Sequence, residues 1–338
     1  MGACFSVRLN TENSHPDSEL IVTSVPPSEA EILQAENLKS FRFNVLQEAT
    51  EKFHPNNELG EGRFSTVYKG WIDEQSRVAT KPGVGTAVAV KRFNKHYPSQ
   101  SDQDWLADMD YFGQLNHENL VKYIGYCLEG GHRLLVYEFM PRGSLANHLF
   151  ISERFSLSIS FLEASDKSCS WCCKGLAYLH STQPKMINVY FKSSNILIDS
   201  DYNAKLSDFG FDKKKKIDPE FVGAANAYEA HDYLRTGRLN EKCEIYSFGV
   251  VLVELLTGKR IFDENLPSDS AQRVAEILKP ILINKEMIIH VMDPSIHGQY
   301  SVAATRAALL ANKCVMTYAR HRPNANDLVN ELEQIQHL

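Results

Sequence analysis

Asn188-Val189-Tyr190-Phe191-Lys192-Ser193-Ser194-Asn195, followed by Asn203-Ala204-Lys205-Leu206-Ser207-Asp208-Phe209-Gly210, decides the reading of this chain. Asn195 and Asp208 supply an amide oxygen and a carboxylate, donors suited to Mg²⁺ held against phosphate oxygens. Tyr190 stands five positions before Asn195 and eighteen before Asp208. In a phosphoryl-transfer site of this spacing that position holds the aspartate that accepts the substrate hydroxyl proton. A phenol with a pKa near ~10 is protonated at neutral pH and cannot do a carboxylate's work.

The nucleotide side lies upstream. Gly60-Glu61-Gly62-Arg63-Phe64-Ser65-Thr66-Val67 reads as a glycine-rich hairpin, whose backbone amides approach phosphate oxygens without side-chain clash. Ser65 replaces the third glycine of the protein-kinase version. Val88-Ala89-Val90-Lys91 is an apolar strand ending in the lysine that pairs with α/β-phosphates in that template. A helix through Trp105, Leu106, Met109 and Phe112 follows, with Asp108 where the template has the glutamate partner of the lysine. Leu134-Leu135-Val136-Tyr137-Glu138-Phe139-Met140 reads as the last small-lobe strand and the hinge. Tyr137 then backs the adenine pocket, and the backbone of Glu138 and Met140 meets the adenine edge.

The 338 residues, 43% hydrophobic, suffice for one large or two small cores. A net charge of −6 argues against sequence-independent nucleic-acid binding. No apolar run approaches the ~20 residues of a membrane span, and the first fifteen residues lack the apolar stretch of a secretory signal. Of the seven cysteines, Cys169, Cys172 and Cys173 cluster without a matching Cys or His pair at zinc-site spacing. Helix packing is their plainer reading.

Met1-Gly2-Ala3-Cys4-Phe5-Ser6 matches the N-myristoylation pattern at Gly2. One myristoyl chain binds membranes marginally, so a second signal is required. The first twenty residues offer only Arg8 against Glu12, Asp17 and Glu19, which leaves S-palmitoylation of Cys4. The Ser-, Pro- and Glu-rich stretch that follows reads as a disordered tether. Phe41, Phe43, Leu46 and Ala49 are spaced as the apolar anchors of a first short helix.

From about Phe41 onward the chain resembles the plant receptor-like cytoplasmic kinases, subfamily VII. Ser40-Phe41-Arg42-Phe43, Lys81-Pro82-Gly83-Val84-Gly85, Gly175-Leu176-Ala177-Tyr178-Leu179-His180-Ser181, Tyr246-Ser247-Phe248-Gly249-Val250 and Arg322-Pro323 carry the likeness, together with the Asp-Phe-Gly stretch. The departures fall on the chemistry and substrate side. The family's Tyr-Arg-Asp reads Asn188-Val189-Tyr190, which removes the base, the arginine that reads a phosphorylated loop, and an aromatic beneath Phe209. Residues 211–229 contain no serine or threonine and carry Lys213-Lys214-Lys215-Lys216. Ala-Pro-Glu reads Ala230-His231-Asp232, with Asp232 still able to pair with Arg322. The helix aspartate that holds the catalytic-loop backbone becomes Glu244. Residues 165–173 have weak apolar periodicity for a helix due to be buried.

The resemblance implies an α+β, bilobal kinase-like fold, with a tether over 1–40, a small antiparallel-sheet lobe over 41–140 and a mainly helical large lobe over 141–338. It implies ATP at Gly60, Gly62, Val67, Ala89, Lys91, Glu138, Met140 and Leu197, and Mg²⁺ at Asn195 and Asp208. With Tyr190 at the base position, the expectation is a non-enzyme: an ATP-binding pseudokinase acting as a membrane-anchored scaffold or decoy, similar to the inactive members called brassikins. A weakly active serine/threonine kinase and a scaffold without nucleotide are the alternatives. The expected location is the cytosolic face of the cell membrane, through Gly2 and Cys4. The implied partners are cytosolic domains of membrane receptor kinases or related cytoplasmic kinases, with no nucleic acid.

Overall fold

The structure, a computed structural model, describes residues 38–62, 65–94, 101–150, 170–182, 185–187, 191–209, 228–261, 284, 292 and 301–336. The small lobe is built on six strands: β1 (Lys39–Ser40), β2 (Glu58–Gly62), β3 (Ser65–Ile72), β4 (Thr86–Phe93), β5 (Tyr123–Glu129) and β6 (His132–Glu138). They lie in the order β1-β5-β6-β4-β3-β2. β1 joins β5 in parallel, and the remaining pairs are antiparallel.

The two-residue period of a strand divides the sheet into two faces. Val88 and Val90 of β4 pack with Ile72, Leu134 and Val136 on one face. Ala89 and Phe93 face the other way, against Trp105, Met109 and Phe112 of helix α2 (Asp102–Gly113). Lys91 shares that second register, so the strand's own alternation turns it towards α2 and the large lobe. Ser101 caps α2 by accepting from the Asp104 N–H at 3.1 Å, and Asp102 and Asp104 complement the helix dipole in its first turn.

The outer face is covered by the lead-in segment. Helix α1 (Phe43–Ala49) buries Leu46 and Ala49. Phe41, expected as one of its anchors, instead precedes it in extended backbone, 4% exposed, with its N–H donating to Tyr126 O at 2.8 Å. Gly125 makes this approach possible, because a Cβ there would lie 2.1 Å from Lys39 O and 2.5 Å from the Phe41 ring. After α1 the chain turns through Glu51, Lys52 and Phe53, all left-handed with φ of 52°, 63° and 56°. Buried Thr50 holds the turn, donating to Leu46 O at 2.8 Å and accepting from the Phe53 N–H at 3.2 Å.

The large lobe is mainly helical, with α3 (Leu145–Phe150), α4 (170–181), α5 (His231–Thr236), α6 (Glu241–Thr257), α7 (Ser301–Cys314) and α8 (Ala325–Gln336). Two short strands, β7 (Ile196–Ile198) and β8 (Ala204–Leu206), form a ribbon at its upper edge. α6 is apolar almost all round and is buried accordingly. α7 crosses it at Gly249, where a Cβ would meet Cys314 Cβ at 2.5 Å. In α4, Cys172 and Cys173 are buried beside Leu176 and Leu179, the packing reading of these thiols. Residues 165–169 lie outside the described residues. The lobes are joined where Val121 N–H donates to Leu206 O and Leu206 N–H to Asn119 O, both at 2.9 Å.

Candidate functional site

Between the lobes, Lys91 Nζ stands 2.6 Å from Asp208 Oδ1, with side chains 9% and 26% exposed. β4 delivers the lysine and the end of β8 delivers the carboxylate. Asp208 sits at φ +58°, a left-handed conformation that aspartate tolerates better than most residues. Ser207 fixes it relative to Asn195, since both the Ser207 N–H and its hydroxyl donate to Asn195 O at 2.9 Å. Asn195 ends a short 3₁₀ turn, Ser193–Asn195, closed by its N–H donating to Lys192 O at 2.9 Å. A cation and a carboxylate thus share one corner, with the Asn195 backbone tied to it through Ser207.

Phe209 anchors that corner from behind. It is 1% exposed, with ring centroids 6.4 Å from Phe112 of α2 and 5.1 Å from Tyr123 of β5. Tyr123 and Tyr137 pack edge to face at 6.4 Å. Burial first, and then the negative charge of Asp208, push both phenols well above their ordinary range.

At the hinge, Glu138 N–H donates to Lys122 O at 3.0 Å and Met140 O accepts from Gly143 N–H at 3.2 Å. The Glu138 carboxylate accepts from Lys122 N–H and Lys205 Nζ, each at 2.8 Å on Oε1. Lys205 was not singled out from sequence. Its signal is its place on β8, three residues before Asp208, with a partner far upstream. Val67 pairs with Lys91 across β3 and β4, Ala89 is buried beside it, and Leu197 pairs with Lys205. Gly60 and Gly62 lie exposed in β2, opposite Val67 and Ser65. Asp108 is half-buried on α2, on the helix that the Lys91 side of β4 faces.

Below the site, the expected pair of Asp232 with Arg322 is present at 2.6 Å, with the Arg322 side chain 0% exposed. Arg322 also donates to Met316 O and Lys242 O, each at 2.8 Å, and lies over the Tyr246 ring. Glu244, expected to hold the catalytic-loop backbone, accepts from His180 Nε2 at 2.6 Å in the buried core. Gly2, Cys4, Asn188, Val189, Tyr190, Gly210 and Lys213 to Lys216 lie outside the described residues. Among the described residues no helix is long and apolar enough to cross a membrane, and none groups three metal-ligating His, Cys, Asp or Glu side chains.

A family model described as "Protein tyrosine and serine/threonine kinase" matches residues 53–332. "Probable serine/threonine-protein kinase PBL9" of Arabidopsis thaliana is 45% identical, over 100% of this chain and 87% of its own length. "Receptor-like cytoplasmic kinase 176" of Oryza sativa subsp. japonica is 43% identical, over 99% and 90%. "Serine/threonine-protein kinase BIK1" of Arabidopsis thaliana is 39% identical, over 99% and 89%. Among solved structures, the pseudokinase domain of BIR2, an immune regulator of the RLK/Pelle family, superposes with a TM-score of 0.70 at 26% identity, covering 87% of this chain and 85% of that one.

These relatives correct the expectation of a non-enzyme, since those spanning nearly the whole chain are named serine/threonine-protein kinases. The physical reason is one of magnitude. Losing a general base costs roughly 10²–10⁴ in rate, whereas phosphoryl transfer draws chiefly on positioning and electrostatics. Tyr190 alone therefore does not remove the reaction.

Proposed function

Because this chain belongs to the protein tyrosine and serine/threonine kinase family, we propose that it is a slow serine/threonine kinase using ATP and Mg²⁺. The observation that carries the reading is the corner formed by Lys91, Asp208 and Asn195, with Lys91 2.6 Å from Asp208 and Asn195 tied to Asp208 through Ser207. A carboxylate and an amide oxygen suit Mg²⁺, and a lysine beside them suits phosphate. The residues therefore fit the group. Mg²⁺ supplies neutralisation of charge on the phosphate oxygens.

In this reading Asn195 and Asp208 would hold the metal, and Lys91 would orient the α/β-phosphates. The backbone of Glu138 and Met140 would meet the adenine edge, and Val67, Ala89 and Leu197 would line the ring's apolar surroundings. Gly60 and Gly62 let the hairpin backbone close over the phosphates. Tyr190, a phenol protonated at neutral pH, does not take the acceptor's proton, which passes to the transferred phosphoryl oxygens and from there to water. From a kcat of about 1–100 s⁻¹, loss of the base leaves about 10⁻⁴–1 s⁻¹. The test is incorporation of labelled phosphate into a generic serine-containing protein by the wild type and by Lys91→Met. A slow signal that Lys91→Met abolishes supports the proposal, and equal signals from the two overturn it.

Gly2 and Cys4 carry the second half of the reading. Myristoyl at Gly2 and palmitoyl at Cys4 together anchor the chain to the cytosolic face of the membrane, because one chain alone is too weak. The kinase-like body then meets the cytosolic domains of membrane receptor kinases, the partner class that receptor-like cytoplasmic kinase relatives suggest.

A further inference from the structure

A buried phenol stands behind the metal corner. β5 opens on Tyr123, which packs towards α2, while Ile124 turns to the opposite side of the sheet. The ladder with β6 shifts register between Tyr123 and Gly125, and such an irregularity re-aims a side chain. The Tyr123 ring reaches into the space between the lobes, with Phe112 at 5.4 Å, Phe209 at 5.1 Å and Tyr137 at 6.4 Å around it. Tyr123 is 8% exposed, yet its Oη is buried with no hydrogen-bond partner among the described residues.

The aromatic packing does not need that oxygen. Phenylalanine would fill the same place among the rings, and a hydroxyl taken out of water without a replacement bond costs stability. A buried polar atom of this kind calls for an account. Burial first, and then the negative charge of Asp208, keep the phenol protonated, so its oxygen has a proton to give. Asp208 is joined directly to Phe209, the residue against which the Tyr123 ring lies. Its Oδ1 accepts from Lys91 Nζ at 2.6 Å. A donor facing a carboxylate without a direct bond to it is the arrangement that one water bridges.

We infer that Tyr123 is a positioning residue for the metal: its hydroxyl donates through one water to the Asp208 carboxylate and sets that carboxylate towards Mg²⁺. This rests on the reading above in which Asn195 and Asp208 hold the metal. Lys91 steadies the carboxylate from β4, and the phenol steadies it from β5. Tyr123 touches neither the nucleotide nor the acceptor in this arrangement. Its contribution to binding therefore exists only while Asp208 holds a metal ion.

The test uses the full chain and Tyr123→Phe, a change that keeps the ring and removes the hydroxyl. Titration calorimetry follows ATP with Mg²⁺ and ATP with EDTA, and thermal melts without nucleotide compare the two folds. The variant is expected to bind ATP–Mg²⁺ about fivefold more weakly, the loss of one net hydrogen bond. Its affinity for metal-free ATP is expected to match that of the wild type, and its melting temperature to be no lower. In crystals of the wild type grown with ATP and Mg²⁺, a water is expected between Tyr123 Oη and Asp208. Equal ATP–Mg²⁺ affinities, or no water at that place, would each overturn the inference. So would equal losses with and without metal at a lower melting temperature, which a loosened fold would give. Failure of the wild type to bind ATP–Mg²⁺ sinks the metal corner and the phenol's role together, whereas equal binding by wild type and variant removes the phenol's role alone.

Discussion

Lys205 Nζ and Glu138 Oε1, 2.8 Å apart, join the strand that leads to Asp208 to the hinge. The same Glu138 oxygen accepts the Lys122 N–H, so one carboxylate links the residue before β5 with β6 and β8. The adenine edge and the metal corner are therefore set relative to each other by a pair outside both. Lys205→Met is expected to weaken ATP–Mg²⁺ binding by about three- to tenfold, within the strength of one charge-assisted hydrogen bond. Lys205→Arg should retain most of the affinity. Titration calorimetry decides it, and equal affinities in wild type and Lys205→Met would remove the coupling.

Asp232→Asn tests the anchor below the site. Arg322 is wholly buried, and the substitution leaves its charge facing three carbonyls, of Met316, Lys242 and Thr317, and a neutral amide. Removing one member of a buried pair costs about 3–5 kcal/mol. Urea melts should show a loss near the lower end of that range, because Asp232 itself is 16% exposed. A loss below ~1 kcal/mol would mean that the carbonyls alone satisfy Arg322.

The left-handed turn at Glu51, Lys52 and Phe53 is strained. Each non-glycine residue there costs roughly 1–2 kcal/mol. Lys52 is exposed, and its N–H donates to Gln47 O at 2.6 Å, a backbone bond that survives substitution. Lys52→Gly should stabilise the fold by about 1 kcal/mol, strain relieved less the added freedom of the unfolded chain. A lower melting temperature in that variant contradicts the argument.

Glu254 gives an inverted pH dependence. Burial raises its pKa above the ordinary value, opposed by the hydrogen bonds from Tyr228 and the Ile261 N–H. The folded state then holds the proton more tightly than the unfolded state. Its contribution to stability is fully present below the ordinary carboxylate range and is lost as pH rises through the raised folded value. Against Glu254→Gln, which does not titrate, the wild type should lose relative stability between mildly acidic and neutral pH. A constant difference across that window would show that the carboxyl is ionised throughout.

Gly2→Ala should release a fluorescent fusion to the cytosol, and Cys4→Ser should leave it divided between internal membranes and cytosol. A single myristoyl chain binds with K of only about 10⁴ M⁻¹. Retention of Gly2→Ala at the cell periphery would place the anchor in the folded body.

The local features were the legible ones. Val88-Ala89-Val90-Lys91 announces a strand ending in a lysine, because the apolar run is a property of consecutive residues. The spacing of Trp105, Leu106, Met109 and Phe112 announced α2 for the same reason. Asp232 and Arg322 were matched from their places in the family pattern. What stayed hidden depends on contacts between distant segments. Phe209 against Phe112 and Tyr123, Lys205 on Glu138, and Ser193 on Tyr228 carry no periodic signature. Glu244 shows the limit, since its position on α6 was readable but its reach to His180 was not. Phe41 was drawn into the first helix by apolar spacing, although the β5 edge beside Gly125 claims it as extended chain.

That edge has a further consequence. β5 would otherwise end the sheet with a row of open N–H and C=O groups, a template for another chain. Lys39 and Ser40 close it, registered on Gly125 and Tyr126, and Gly125 leaves room for nothing bulkier beneath them. The opposite edge, β2, is interrupted by a bulge between Glu58 and Gly60, a device that discourages pairing without a cover. The lead-in segment therefore guards solubility: a chain starting after Phe41 would present bare β5, and self-association through that strand would follow.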